Sequence, residues 1–177
     1  MPKRPTHPSR PLLYLDVDGV ILPLGEGTGE GEAAFGPPGR RVRLPAGAPG
    51  RVERLAEAFD PVWATFWQEE ANWTLSPAFD LPPWPVLALD EDRAQPLGDI
   101  KFEALKRHAG DRPLAWVDDM IPEEAFAWAA ARTVPTLLCP IDPRIGMAEL
   151  DVEALLGFAR KMQAGAPEPS RADLSSR

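Results

Sequence analysis

The stretch Leu12-Leu13-Tyr14-Leu15-Asp16-Val17-Asp18-Gly19-Val20 constrains the fold more than any other part of the chain. Four apolar residues run directly into two carboxylates spaced two apart, and a glycine follows. An unbroken apolar run reads as a strand covered on both faces, as in parallel sheets. Residues i and i+2 of a strand share a face, so Asp16 and Asp18 leave the sheet edge together. Open α/β sheets bind ligands at the carboxyl ends of their strands. The stretch is therefore a candidate cation and phosphate site. The plainer alternative is a strand closing in an Asp-Gly turn, with carboxylates bonded only to local backbone.

The remaining chain repeats the strand pattern with helices between. Further strands are expected at about 61–65, 86–89, 114–117 and 134–139. Helices are expected at about 50–59, 68–75, 100–109 (N-capped by Asp99), 122–131 and 147–162. In the last helix Leu150, Ala154, Leu155 and Phe158 are spaced for burial. This alternation predicts an α/β fold: a doubly wound, Rossmann-like, five-stranded parallel sheet with helices on both faces. At 177 residues the chain reads as one domain over 11–163, with a mobile arm at 1–10 and a flexible tail at 164–177. A flap or loop insertion spans about 20–48, where residues 20–24 and 40–45 are expected to form a hairpin. Between them, the acidic, glycine-rich stretch 25–32 has nothing to bury and is read as loop. The tract from Pro77 to Pro85 holds too many prolines for regular structure.

Composition removes several function classes. A net charge of −8 argues against broad, non-specific nucleic-acid binding. With one cysteine and two histidines, a zinc site of nitrogen and sulfur ligands is nearly excluded, so any metal must be held by oxygen. Cys139 lies in an apolar run and reads as a buried thiol. His7 and His108 read as exposed bystanders. No stretch approaches the ~18 apolar residues of a membrane span, and the N-terminus lacks the apolar run of a signal peptide. A cytoplasmic protein is the expectation.

Polar residues also close the other strands. Thr65 follows strand two, Asp118 and Asp119 close strand four, and Lys101 opens the helix before it. This order resembles the haloacid dehalogenase (HAD) superfamily, in which D-x-D, Thr or Ser, Lys and an acidic pair follow one another. The resemblance covers residues 12 to about 146. It implies a phosphoric monoester hydrolase with Asp16 as nucleophile, forming an aspartyl-phosphate, and Asp18 as general acid and base. It assigns Mg²⁺ to Asp16, the Asp18 carbonyl and Asp118, with Asp119 assisting. Thr65 and Lys101, with Phe66 beside them, would hold the phosphoryl group. Physical chemistry supports the metal separately: two like charges 4 Å apart repel by about 4 kcal/mol at an effective dielectric near 20, and a hard divalent ion relieves this.

Other residues are weighed against plainer roles. Lys106 is the reserve for Lys101, and Glu123 and Glu124 read as favourable helix-start charges rather than metal ligands. Arg40, Arg41 and Arg43 fit a solvated loop as well as an anion-binding rim. Tyr14, Trp63 and Trp116 each lie two residues before a site residue and are expected to form a row beneath it. Trp67 and Trp73 lie with Asn72 near the mouth, and Trp67 reads as core packing rather than a stacking platform.

Neither insertion, about 24–48 or about 89–100, is long enough for a helical cap domain. An open site suits a macromolecular phosphate end, or needs a second copy in a homodimer to exclude water. The substrate is otherwise a phosphorylated compound of unspecified identity. The rival reading is a catalytically weak HAD-like module that binds phosphate or metal for regulation or interaction. A phospho-receiver domain would need its acidic pair first and its lysine last, against the order here.

Overall fold

The computed structural model describes residues 10–25, 31–36, 40–90 and 94–165. All but residue 10 of the expected arm, most of the acidic loop, and the expected tail beyond residue 165 lie outside these residues. In chain order the elements are β1 (Leu12–Leu15), β2 (Gly31–Gly36), β3 (Arg40–Pro45), α1 (Ala48–Ala58), β4 (Asp60–Trp63) and α2 (Glu69–Ala78). Then come α3 (Leu97–Ala109), β5 (Leu114–Asp118), α4 (Glu123–Ala131), β6 (Thr136–Pro140) and α5 (Glu149–Ala164).

The main sheet is parallel throughout, in the order β4-β1-β5-β6. Helices cover both faces, so the architecture is the doubly wound α/β sheet, with no large cap inserted. Period-two alternation sorts the core into two clusters. Leu13 and Leu15 face α1, α2 and α5 through Val52, Leu55, Ala71, Leu75, Val152 and Leu155. Leu12 and Tyr14 face α3 and α4 through Phe102, Leu105 and Ala125. Each fully buried aliphatic side chain contributes about 1.5–3 kcal/mol, which holds the sheet edge rigid.

Several local expectations are corrected. The third strand, expected at 86–89, reduces to one parallel bridge between Trp63 and Val86 beside β4. There the Trp63 N–H donates to the Pro85 carbonyl and the Leu87 N–H to the Trp63 carbonyl. Prolines 82, 83 and 85 have no N–H to extend the ladder. The hairpin partner of β3 is β2, not residues 20–24. Those residues instead close a tight turn, in which the Ile21 and Leu22 N–H groups both donate to the Val17 carbonyl. Asp99 sits inside the first turn of α3, whose N-cap is Pro96. In α5 the buried face is Val152, Leu155 and Ala159, whereas Leu150 is 84% exposed and Ala154 is also exposed. Phe158 is partly buried, stacked on Phe59.

Cys139 is half-buried rather than enclosed, and burial, followed by Asp151, pushes its thiol up to about 11. His108 is exposed but not idle: its Nδ1 lies 2.7 Å from the Tyr14 hydroxyl. Burial holds the Tyr14 hydroxyl well above its ordinary range, and burial with Arg112 lowers His108, so the pair favours two neutral groups.

The aromatic row is two-thirds present. Tyr14 pairs with Trp116 across β1 and β5, one layer beneath the acidic edge. Trp63 pairs with Leu15, one position out of step, and therefore points to the opposite face.

Candidate functional site

Because the four strands are parallel, their carboxyl ends meet at one edge. Asp16 follows β1 directly, Thr65 stands two residues beyond β4, and Asp118 ends β5 with Asp119 after it. The β1–β5 register, Leu12 with Leu114 through Leu15 with Val117, carries on to bring Asp16 beside Asp118. The Asp16 N–H donates to the Val117 carbonyl, which pins the two strand ends together.

Lys101 reaches this edge from the first turns of α3 and is almost wholly buried. Its Nζ lies 2.5 Å from Asp16 Oδ2 and 2.9 Å from Asp118 Oδ2. That placement depends on Gly98, where any Cβ would lie 2.1 Å from the Met120 carbonyl oxygen. Asp118 is further held by the Trp116 indole N–H on Oδ2 at 3.2 Å and the Met120 N–H on Oδ1 at 2.9 Å. Charge-assisted bonds of this kind fix the carboxylate's orientation. The Phe66 ring, half exposed, lies 5.8 Å from Lys101 Nζ at its centroid.

Electrostatics set this edge apart from the rest of the interior. Burial, then the neighbouring Asp118, raises the Asp16 carboxyl to about 7 despite Lys101. Burial and Asp118 also raise Asp119. Burial alone would lower the Lys101 ammonium, but Asp118 and Asp16 outweigh it and the net direction is up. One ammonium thus faces more carboxylate than it neutralises.

Asp16, Asp118 and Asp119 each offer an oxygen, and the three oxygens lie within 4.8 Å of one another. Asp119 Oδ1 is buried with no hydrogen-bond partner. Its other oxygen would lie 2.6 Å from a Cβ at Gly19, whose φ of 74° suits glycine. An orphaned buried carboxylate oxygen within an all-oxygen donor set fits a hard divalent cation. This cluster can coordinate a metal or receive a phosphate group held through one.

The remaining predicted residues divide. Thr65 is buried, and its Oγ1 accepts from the Trp67 N–H at 3.3 Å. Asp18 is exposed, and the Trp67 indole N–H lies 2.8 Å from its Oδ2. Lys106 lies away from the edge, bonded to Glu103 and set over the Phe102 ring. Glu123 and Glu124 are exposed at the start of α4, and Arg43 is exposed on β3. The side chains of Arg40 and Arg41 lie outside the described residues. Asn72 is a buried structural hub, not a mouth residue. Sequence reasoning did not find the polar roles of Trp67 and Trp116. For Trp116 the signal was available, since it precedes Asp118 by two on the same strand face.

No protein-family model matches the chain, and no curated protein is significantly similar to it. In general terms the small α/β domain and its buried acidic cluster are consistent with a HAD-like fold.

Proposed function

We propose that this sheet edge binds a divalent cation together with a phosphoryl group, and that the chain uses it for phosphoric monoester hydrolysis in the manner of HAD-type enzymes. The observation that carries the reading is the joining of Asp16, Asp118 and Asp119 with the buried Lys101 at one edge. Asp16, Asp118 and Asp119 would hold Mg²⁺, with the Asp18 carbonyl added by the resemblance. When bound, the ion supplies charge neutralisation to the carboxylates and the incoming phosphate.

In this reading an Asp16 oxygen attacks phosphorus and the ester P–O bond breaks, leaving an aspartyl-phosphate. The Asp18 carboxyl gives its proton to the departing oxygen, then takes one from the water that attacks the phosphoenzyme. Inorganic phosphate leaves and the Asp16 carboxylate is restored. Lys101 keeps Asp16 in place throughout, while Thr65 and Phe66 border the phosphoryl position.

A second reading has direct support. Asp16 is only 2% exposed, so as it stands the edge is better formed for binding than for in-line attack. A phosphate- or metal-binding module without turnover requires nothing beyond the cluster itself.

The test is hydrolysis of an aryl phosphate with and without Mg²⁺, comparing wild type with Asp16→Asn, beside calorimetric titration of Mg²⁺. Metal-dependent turnover abolished in the variant is the result expected of the enzyme. Mg²⁺ binding without turnover selects the binding module, and absence of both removes each reading.

A further inference from the structure

The turn after β4 begins with Thr65 and is tightly specified. The Gln68 N–H donates to the Thr65 carbonyl at 3.2 Å, and the Thr65 hydroxyl accepts from the Trp67 N–H. This is a threonine-stabilised turn, and Gln68 completes it with a positive φ of 50° before α2 starts. The Trp67 side chain is then driven into the core cluster on the α1, α2 and α5 face, where it is 6% exposed. Backbone and ring are both held.

An indole offers one N–H donor and no acceptor. Here that donor meets Asp18 Oδ2 at 2.8 Å, across 49 positions of sequence. Asp18 is exposed, and its backbone is held by a bridge to Leu22. Its carboxyl turns about two side-chain torsions, two residues beyond Asp16 of the cluster that Asp16 forms with Asp118 and Asp119. Repulsion from that cluster favours any orientation directed away from it, without selecting one. The buried indole selects one. A donor fixed in the core sets the position of the exposed carboxyl bonded to it.

We propose that Trp67 is the positioning residue for Asp18. Its indole holds Oδ2 and thereby presents the other oxygen, Oδ1, to the phosphoryl leaving atom. The mechanistic part of this assignment rests on the hydrolysis reading above. The turn links it to Thr65, so one short segment, 65–67, sets a phosphate-bordering hydroxyl and the proton donor's orientation together.

Trp67→Phe keeps most of the apolar volume and removes the donor. With an aryl phosphate and Mg²⁺, its kcat should fall about 10- to 100-fold, the range expected for losing a hydrogen bond to a charged group. KM and Mg²⁺ affinity should stay within about twofold. The loss should be larger with phenyl phosphate than with 4-nitrophenyl phosphate, because a poorer leaving group depends more on a placed proton donor. An equal loss on both substrates, or an unchanged kcat, would overturn the assignment, since damage to packing alone does not distinguish leaving groups.

If wild type hydrolyses neither substrate, the hydrolysis reading fails by itself. Crystal structures of wild type and Trp67→Phe then decide the positioning claim. A displaced Asp18 carboxylate in the variant sustains it, and an unmoved one ends it.

Discussion

The molecule holds two buried polar clusters, and they are built on opposite terms. At Asn72 the central group is a neutral amide, and its own oxygen and nitrogen are both matched. Its Oδ1 accepts from the Trp63 indole, the Trp84 N–H and the Ser76 hydroxyl, while its Nδ2 donates to Glu69 and the Trp84 carbonyl. It thereby ties the proline-rich tract back onto β4 and α2, where hydrogen bonds of regular structure are few. Around Asp16 the groups are charged and mismatched: carboxylates outnumber the single ammonium, and Asp119 Oδ1 has no partner. A satisfied neutral hub specifies a fold. A buried surplus of like charge costs stability, and it is readily understood as a place prepared for a ligand of opposite charge.

The largest test of this contrast is to remove Lys101. Lys101→Met leaves two buried carboxylates facing each other without their shared cation, and should destabilise the fold by about 3–5 kcal/mol. Millimolar Mg²⁺ should restore part of the loss, seen as a rise in the thermal midpoint. A variant equally unstable with and without Mg²⁺ would mean that the cluster does not take a cation.

Asn72→Leu provides the matching control. It strands the Trp63 indole N–H and the Trp84 N–H, and should cost about 2–4 kcal/mol in denaturant unfolding. Added Mg²⁺ should not restore it. Recovery with Mg²⁺ would erase the distinction between the two clusters.

Asp16→Asn should act in the reverse direction, raising metal-free stability by about 1–3 kcal/mol at alkaline pH. That corresponds to several degrees in the thermal midpoint. The sign follows from linkage. With the Asp16 carboxyl raised from 3.8 to about 7, the folded state binds more protons than the unfolded one between those values. Wild type therefore loses stability as pH rises through that window, and Asp16→Asn does not. The gap between them should widen from pH 4 to pH 8. A constant gap would place the cost of Asp16 elsewhere than in its ionisation.

Lys101 was placed at the site by the resemblance, whereas the residues themselves dictated the parallel sheet, the burial of β1 and β5, and the meeting of Asp16 with Asp118 and Asp119 at one edge. These are consequences of local pattern. Apolar runs mark strands, and the carboxyl ends of parallel strands share an edge whatever the details of packing. Tertiary structure alone decided matters of register, phase and partner. Trp63 left the predicted aromatic row because β4 sits one residue out of step, and a one-residue slip reverses a strand's faces. Leu150 is exposed because the buried line of α5 runs through Val152, Leu155 and Ala159, a choice among apolar stripes made by the surface it packs on. Asn72 became a hub, and Trp67 a hydrogen-bond donor to Asp18, through contacts with partners brought together only by folding. Side-chain identity announces chemistry locally, but a hydrogen bond needs a distance and an angle, and those belong to the assembled chain.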